Sequence, residues 1–348
     1  MLRYITIEEY LSNPAILIDV RAPVEYEKGH IPNSYNVPLF SNEERAHIGT
    51  VYMHKSKDEA MELGYTYANP KRKWYLEEVA KISCRKPVAI HCWRGGMRSR
   101  LFAEHLHQNG FSDVSVIIGG YKSWRRLLDK YWKSQNNLLI LGGYTGSGKT
   151  HVLRHLEFKG QQIIDLEKFA CHKGSAFGSI GQSIQPTTEQ FENNLYDKMR
   201  FFDANIPVWL EDESRNIGHV QLPANLFAQM RNSITFFLDI PREIRAKHLV
   251  NDYVDASFDE LKTAILKISR RLGGQNLNLA IRNLEEGNLY EVAYIALSYY
   301  DKAYRRGLEF HNNDKVIVVK SDTVDPEINV NLILEKYEQR KCDSSNTI

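Results

Sequence analysis

Pro87-Val88-Ala89-Ile90-His91-Cys92-Trp93-Arg94-Gly95-Gly96-Met97-Arg98-Ser99 is the stretch on which the reading of this chain turns. Pro87 to His91 is a short apolar run, the pattern of a strand buried in a parallel sheet. Arg98 to Asn109 reads as a helix, with Phe102 and Leu106 one turn apart and Gly110 where a C-terminal cap belongs. A strand–loop–helix joint aims successive backbone N–H groups and the positive end of a helix at one point, which makes an anion site. A thiol held in that field moves towards thiolate, the form that attacks. Cys92 is therefore the candidate nucleophile, and Trp93, Arg94, Gly95, Gly96, Met97 and Arg98 form the candidate anion loop. The usual role of a buried cysteine is inert packing. Paired glycines and an arginine directly after Cys92 argue against that here.

Working outward, 348 residues are enough for two domains. A formal net charge of +2 leaves nucleic-acid binding to local patches rather than to a global field. Four cysteines, Cys84, Cys92, Cys171 and Cys342, show no CxxC pairing. That disfavours a zinc site or a disulfide framework and points to a reducing cytoplasm. Met1 to Tyr10 has no apolar core of a signal peptide and no run is long enough to cross a bilayer, so no membrane partner is expected.

In the N-terminal part, Thr6-Ile7-Glu8-Glu9 is a capping box and Ala15 to Val20 an apolar strand. Strands and helices alternate onward, implying a parallel α/β sheet. Asp19, Arg21, His30 and Trp124 read first as fold-holding groups. Lys130 to Asn137 turns polar, which sets domains at 1–133 and 138–340, a linker at 134–137 and a disordered polar tail at 341–348.

Leu138 to Gly142 is a strand, and Gly143-Tyr144-Thr145-Gly146-Ser147-Gly148-Lys149-Thr150 fits GxxxxGK[ST] in full, with a helix after it. Gly143, Gly146, Ser147, Gly148, Lys149 and Thr150 are thus candidate diphosphate ligands, and Thr150 could hold Mg²⁺. Further strands end at Asp165, Glu211, Asp239 and Val319; any of the three carboxylates could serve as the second acidic residue of such a site, or merely cap the next helix. Asp165 with Thr150 is the candidate metal pair. The motif demands a polyphosphate and does not specify ATP. Cys171 lacks a glycine loop and reads as structural; His172 to Gly178 reads as a mobile substrate loop. The C-terminal third is helical, over Ser257 to Arg271, Gln275 to Glu286 and Leu289 to Arg306. Basic groups at Lys71–Lys73, Arg125-Arg126, Arg270-Arg271 and Arg305-Arg306, near Trp74 and Trp124, could follow an RNA backbone.

Asp19 to Pro38 resembles the first signature of rhodanese-like sulfurtransferase domains and Val114 to Trp124 the second, with Cys92 between them where that family carries its nucleophile. Cys92-x5-Arg98 has the longer spacing of cysteine-dependent phosphatases, sized for a phosphate rather than a sulfane sulfur. Asp239 to Arg245 resembles the base of a nucleotide-kinase lid, making Arg242 and Arg245 candidate phosphate contacts. Cys92 to Ser99, Gly142 to Thr150, Asp165 to Gly178 and Glu211 to Gly218 together resemble the tRNA 2-selenouridine synthases, with Lys173 where arginine is expected. The resemblance implies an α/β rhodanese-like domain followed by a nucleotide-kinase-like P-loop domain. It further implies S-geranylation of a wobble 2-thiouridine by geranyl diphosphate, then selenation from selenophosphate through a selenium-carrying Cys92. The implied partner is tRNA (Lys, Glu and Gln acceptors), with no DNA. The rival readings are a cysteine-dependent phosphatase fused to a P-loop kinase, and an ATP-using tRNA sulfurtransferase.

Overall fold

The computed structural model describes residues 2–134, 137–308 and 315–345. The chain divides into two compact units, Met1–Tyr131 with Glu192–Asp197, and Trp132–Phe191 with Lys198–Ile348. The first comprises β1 (Arg3–Ile5), α1 (Ile7–Ser12), β2 (Ile16–Asp19), α2 (Pro23–Lys28), β3 (Tyr35–Asn36), α3 (Asn42–His54), α4 (Lys57–Ala68), α5 (Arg72–Ser83), β4 (Val88–His91), α6 (Met97–Gln108) and β5 (Val114–Ile117), and most of α7 (Gly120–Lys133). Its strands form one parallel sheet in the order β1-β5-β4-β2-β3. Ile18, Ile90 and Val116 lie side by side across it and are fully buried, with Val79 and Leu106 from α5 and α6 packed against them. Such an all-parallel sheet is covered on both faces and presents its ligand at the carboxyl ends of the strands. Those ends are Asp19, His91 and Ile117.

Local sequence places the helices. Thr6 and Ser41 cap α1 and α3 through full capping boxes with Glu9 and Glu44, and Ser56 caps α4. α3 is unusual in having no buried residue. Asp19 and Arg21 form a wholly buried ion pair, Nη2 to Oδ2 2.6 Å, and Arg21 also donates to the Gly29 carbonyl at 2.8 Å. Its guanidinium lies 4.0 Å over the Tyr121 ring. These are the structural roles expected of the first signature. Trp124 is fully buried with its Nε1 donating to Asn193 at 3.0 Å, so it holds the fold and offers no face to RNA.

The second unit carries β6 (Leu138–Gly143), α8 (Lys149–Phe158), β7 (Gln162–Ile164), α9 (Leu166–Ala170), the ends of α10 (Thr188–Met199, of which Glu192–Asp197 belong to the first unit), β8 (Val208–Glu211), β9 (Asn216–Ile217), β10 (Val220–Gln221), α11 (Ala224–Arg231) and β11 (Ile234–Asp239). Then follow α12 (Arg242–Asp252), α13 (Phe258–Lys267), α14 (Ser269–Leu272), α15 (Gly274–Glu285), α16 (Leu289–Leu308), β12 (Val316–Lys320) and α17 (Pro326–Ser345). Five strands make a parallel sheet in the order β12-β11-β6-β8-β7, so β6 sits at its centre and delivers the glycine loop to its carboxyl edge. Trp209 and Phe236 stack in its core with Tyr337. Trp209 is thus core, and Phe201 is an exposed side chain under Arg200. α13, α15 and α16 pack around Leu261, Ile265, Leu284 and Val292 in a separate helical cluster.

Two boundaries differ from expectation. The segment read as one helix from Ser257 to Arg271 is two, α13 and α14. The polar tail read as disordered from Lys341 is helical to Ser345, because α17 continues through it with Lys341 bonded to Glu338 at 2.9 Å; 346–348 lie outside the described residues. Of the linker, 135–136 also lie outside them.

Candidate active site

In the first unit Cys92 follows β4 and sits 3% exposed at the floor of the loop. The loop is shaped by contact with the turn between β5 and α7. Gly95 has φ +62°, and a Cβ there would collide with the Ile117 carbonyl oxygen; a Cβ on Gly120, φ +54°, would collide with the Cys92 carbonyl. The same turn donates Tyr121 N–H to Cys92 O and Lys122 N–H to Trp93 O, both at 2.9 Å. The two rhodanese-type signatures and the cysteine loop are therefore parts of one object.

Burial works against a charged sulfur at Cys92. It is outweighed by the Arg98 guanidinium, the Ser99 hydroxyl 3.4 Å from Sγ, and the backbone amides of Ser99 and Arg94, which leave the thiol below its ordinary pKa. α6 opens at Met97 with Gly96 as cap and no acidic residue in its first turn, so its amides and dipole stay available to an anion. Arg98 donates to Glu25 at 3.2 Å, and Arg45 lies 3.5 Å from the same carboxylate oxygen. Sequence reading missed Glu25, which is remote in the chain and ordinary in its motif. Next to Cys92, His91 is wholly buried and held neutral, since burial outweighs its neighbour Asp19; Arg21 is the charge that keeps Asp19 ionised.

In front of Cys92 lies a cavity of about 870 Å³, walled by α3, α4, α6 and the anion loop. Trp93, Arg94, Gly96, Met97 and Arg98 all line it. Lys71 is occupied by Glu44 and Arg125 by Asn193 and Glu192, whereas Arg72 faces the cavity.

In the second unit, Gly146 (φ +79°) and Gly148 (φ +74°) carry the loop from β6 into α8, which opens at Lys149. Lys149 Nζ donates to the Gly143 carbonyl at 2.9 Å, spanning the loop as a phosphate would find it. A cavity of about 500 Å³ opens over Gly146, Ser147, Gly148, Lys149 and Thr150, with Arg154, Lys168 and Lys173 adding positive charge. Ser175 and Gly174, from the segment read as a substrate loop, also line it. Cys171 reaches the same cavity as the left-handed cap of α9, φ 49°.

Of the candidate carboxylates, Asp165 lines this cavity and Glu211 lies against Glu167. Thr150 Oγ1 donates to Glu167 at 3.0 Å, not to Asp165. Asp165 caps α9 by accepting from Lys168 N at 2.8 Å and takes Arg154 at 3.4 Å. Glu211 is buried, accepts from Glu167 N at 3.3 Å and leaves Oε1 without a partner. Burial, then the charges of Glu167 and Asp165, push its pKa well up; burial and Glu167 likewise push Glu213 to about 8. Arg245 is 2% exposed and committed to Asp301 (2.9 Å), the Ile240 carbonyl (2.8 Å) and the Thr145 carbonyl (3.0 Å). Arg242 bonds the same Asp301 at 3.0 Å. Arg245 braces the loop through the Thr145 carbonyl while Arg242 serves Asp301, and neither lines the cavity. Glu167 in the first turn of α9, Glu213 in the loop after β8 and Asp301 within α16 were missed because none belongs to a motif.

Comparison with known proteins bears on both units. Residues 6–127 match the rhodanese-like domain family, and residues 136–330 match the family described as the tRNA 2-selenouridine synthase AAA domain. A tRNA 2-selenouridine synthase of Bdellovibrio bacteriovorus is 32% identical, covering 84% of this chain and 89% of its own. That of Marinobacter nauticus is 35% identical, covering 85% and 90%. The chain belongs to the tRNA 2-selenouridine synthase family. Within that family's two-domain frame, Cys92 belongs to the rhodanese-like domain and Lys149 to the AAA domain. No described helix is long and apolar enough to cross a membrane.

Proposed function

We propose that this chain is a tRNA 2-selenouridine synthase that works in two steps on a wobble 2-thiouridine. In the first, the thiocarbonyl sulfur attacks C1 of geranyl diphosphate, the C–O bond breaks, and diphosphate leaves with the electron pair. The P-loop cavity suits that leaving group: Lys149, Arg154 and Lys173 line it, and the α8 amides face it. In the second, the Cys92 thiolate takes the phosphoryl group of selenophosphate, the P–Se bond breaking with its electron pair on selenium. The selenide so released beside Cys92 bonds to C2 while the C–S bond breaks and geranyl thiolate departs, and water then frees Cys92 as phosphate leaves. Arg94, Arg98 and the loop amides would hold the phosphate part. The observation that carries this reading is Cys92, a thiol displaced towards thiolate inside a phosphate-sized loop, in a chain that also holds a separate diphosphate cradle.

A divalent cation would find hard oxygen donors at Thr150 and Glu167, which fit Mg²⁺ better than a softer metal. Among the described residues no three acidic, cysteine or histidine side chains form a ligand set. Mg²⁺ would therefore take most of its ligands from diphosphate and water, and what it supplies is charge on the leaving group. Against the phosphatase alternative, Glu25, the carboxylate that Arg98 of the loop bonds, is also taken by Arg45 rather than placed as an acid.

The test is nucleoside analysis of tRNA from selenium-fed cells with and without the protein. 2-Selenouridine should depend on the protein, and S-geranyl-2-thiouridine should accumulate when selenium is withheld. Unchanged 2-selenouridine in its absence would refute the assignment.

A further inference from the structure

The cavity beside Cys92 is larger and more apolar than a phosphate loop requires. Its volume of about 870 Å³ lies in the range of roughly 300–1,000 Å³ of small-molecule sites. Its wall is made by α3 and α4. No residue of α3 is fully buried; its Ile48, which also packs partly against the core, and its Tyr52 and Met53 line the cavity, as do Met61 and Tyr65 of α4. Tyr52 is 61% exposed and Met53 78%, so this apolar surface has no covering within the unit. Two interior helix glycines, Gly49 and Gly64, line it as well. Glycine is a poor residue inside a helix. A Cβ at Gly64 would meet only the Phe40 ring at 3.5 Å and Ile48 at 4.0 Å, which is ordinary contact, so packing does not demand glycine there. What it adds is room.

The rim has the opposite character. Arg45, Lys57, Arg72, Arg94 and Arg98 line the same cavity, against a single acidic residue, Glu104. An apolar chamber with a cationic mouth suits a ligand that is a greasy chain at one end and a polyanion at the other.

We propose that this chamber receives the alkyl chain of the S-alkylated base during selenation, while the rim holds the neighbouring RNA phosphates; the proposal rests on the two-step reading above. The connection is geometric. Exchange at C2 requires that carbon within bonding reach of selenide released at Cys92, and the departing sulfur with its chain is bonded to the same carbon. The chain must then lie at the mouth that Cys92, Trp93 and Arg94 share with the cavity. The C–S bond breaks there and the thiol is released into the chamber. The apolar chain thereby identifies an activated base, and unalkylated 2-thiouridine lacks that anchor.

The test uses the full chain with anticodon stem-loops bearing S-geranyl- or S-methyl-2-thiouridine, selenophosphate, and product analysis. Burying one methylene is worth about fourfold in affinity. The wild type should therefore favour the geranyl substrate in kcat/KM by at least about tenfold. Met61→Asp and Gly64→Leu, one polar and one space-filling, should collapse that preference towards one, with Cys92 alkylated at the wild-type rate as a check on folding. Equal losses on both substrates, or an unaltered preference, would overturn the chamber while leaving the two-step reading intact. Conversion of neither substrate by the wild type would instead sink the two-step reading. The chamber is then judged by titrating free geranyl thiol and following Trp93 fluorescence. It is rejected if the wild type does not bind the thiol, if Met61→Asp binds it equally, or if a second copy of the chain covers the face and excludes it.

Discussion

Glu213→Gln should make the second unit less sensitive to alkaline pH, and the size of the effect follows from the burial of one carboxyl. Burial, reinforced by Glu167 and only partly offset by Lys149, raises Glu213 from 4.5 to about 8. Between those values the unfolded chain has released this proton and the folded chain keeps it, so the folded state binds more protons and stability falls as pH rises. A span of about 3.5 units at about 1.4 kcal/mol per unit sets an upper limit of about 5 kcal/mol. Glu167 and Glu211 stand in the same field and absorb part of any change, so the single substitution should recover about 2–3 kcal/mol of that loss. Glutamine keeps the size and the neutral hydrogen-bonding capacity of the protonated acid. The assay is urea unfolding of the full chain at intervals from pH 5 to 9, following the transition that diphosphate shifts. The wild type should lose stability steadily up to about pH 8, and the variant should show a shallower slope over the same window. Inorganic diphosphate should also bind the wild type more weakly above pH 8, where the carboxylate ionises beside it, and bind the variant without that decline. Parallel slopes for the two proteins would refute the account of Glu213 as a neutral acid in the P-loop wall.

Cys92→Ser should abolish selenation and leave S-geranylation intact, as read by nucleoside chromatography of treated tRNA; equal loss of both steps would contradict the division of labour. Lys149→Ala should lower geranylation by about two orders of magnitude or more, on the scale of other charge-stabilising donors, yet permit selenation of pre-geranylated tRNA. Asp301→Ala leaves the buried Arg245 guanidinium unpaired, so it should cost about 3–5 kcal/mol of second-unit stability and loosen diphosphate binding, measured by denaturant midpoint and calorimetry.

The sequence made the two anion loops legible because each is a local object. A strand, a glycine turn and a helix start lie within a dozen residues, and backbone geometry requires those residue types. What surrounds the loops was less legible, because it is assembled from distant positions. Trp124 was correctly read as a fold-holding residue, but its partner Asn193 lies 69 positions away and carries no signature of its own. Asp165 matched the pattern of a strand-end carboxylate, and the alternative of a helix cap describes its hydrogen bond. Glu167, two residues later, took Thr150 because α9 turns it towards the loop. Arg245 looked like a phosphate ligand from its lid-like string, yet Asp301 in α16 claims it. The chamber beside Cys92 was invisible for a similar reason. α3 and α4 have weak apolar patterning and exposed tyrosines, and their lining becomes a surface only when the two helices stand over the anion loop.

The two sites treat charge in opposite ways, and this contrast separates their chemistry. At Cys92 the protein places a guanidinium, a hydroxyl and two amides around a buried sulfur, and the net result favours the charged nucleophile. At the P-loop it gathers Glu167, Glu211 and Glu213, carboxyls that burial holds towards the neutral form, beside a cavity that Lys149, Arg154, Lys168 and Lys173 line together with Asp165 and Asp252. In the proposed geranylation, a site that must hold polyanionic diphosphate as it leaves gains from acids that stay protonated, since each ionised carboxylate would oppose the charge being formed. A site that must bond a group covalently needs the reverse. Cys171 lines the second cavity, but it caps α9 in a left-handed turn, without the amide cradle that surrounds Cys92. On the two-step reading proposed above, covalent chemistry falls to the first unit and release of the leaving group to the second, so each step should be removable by substitutions that leave the other standing.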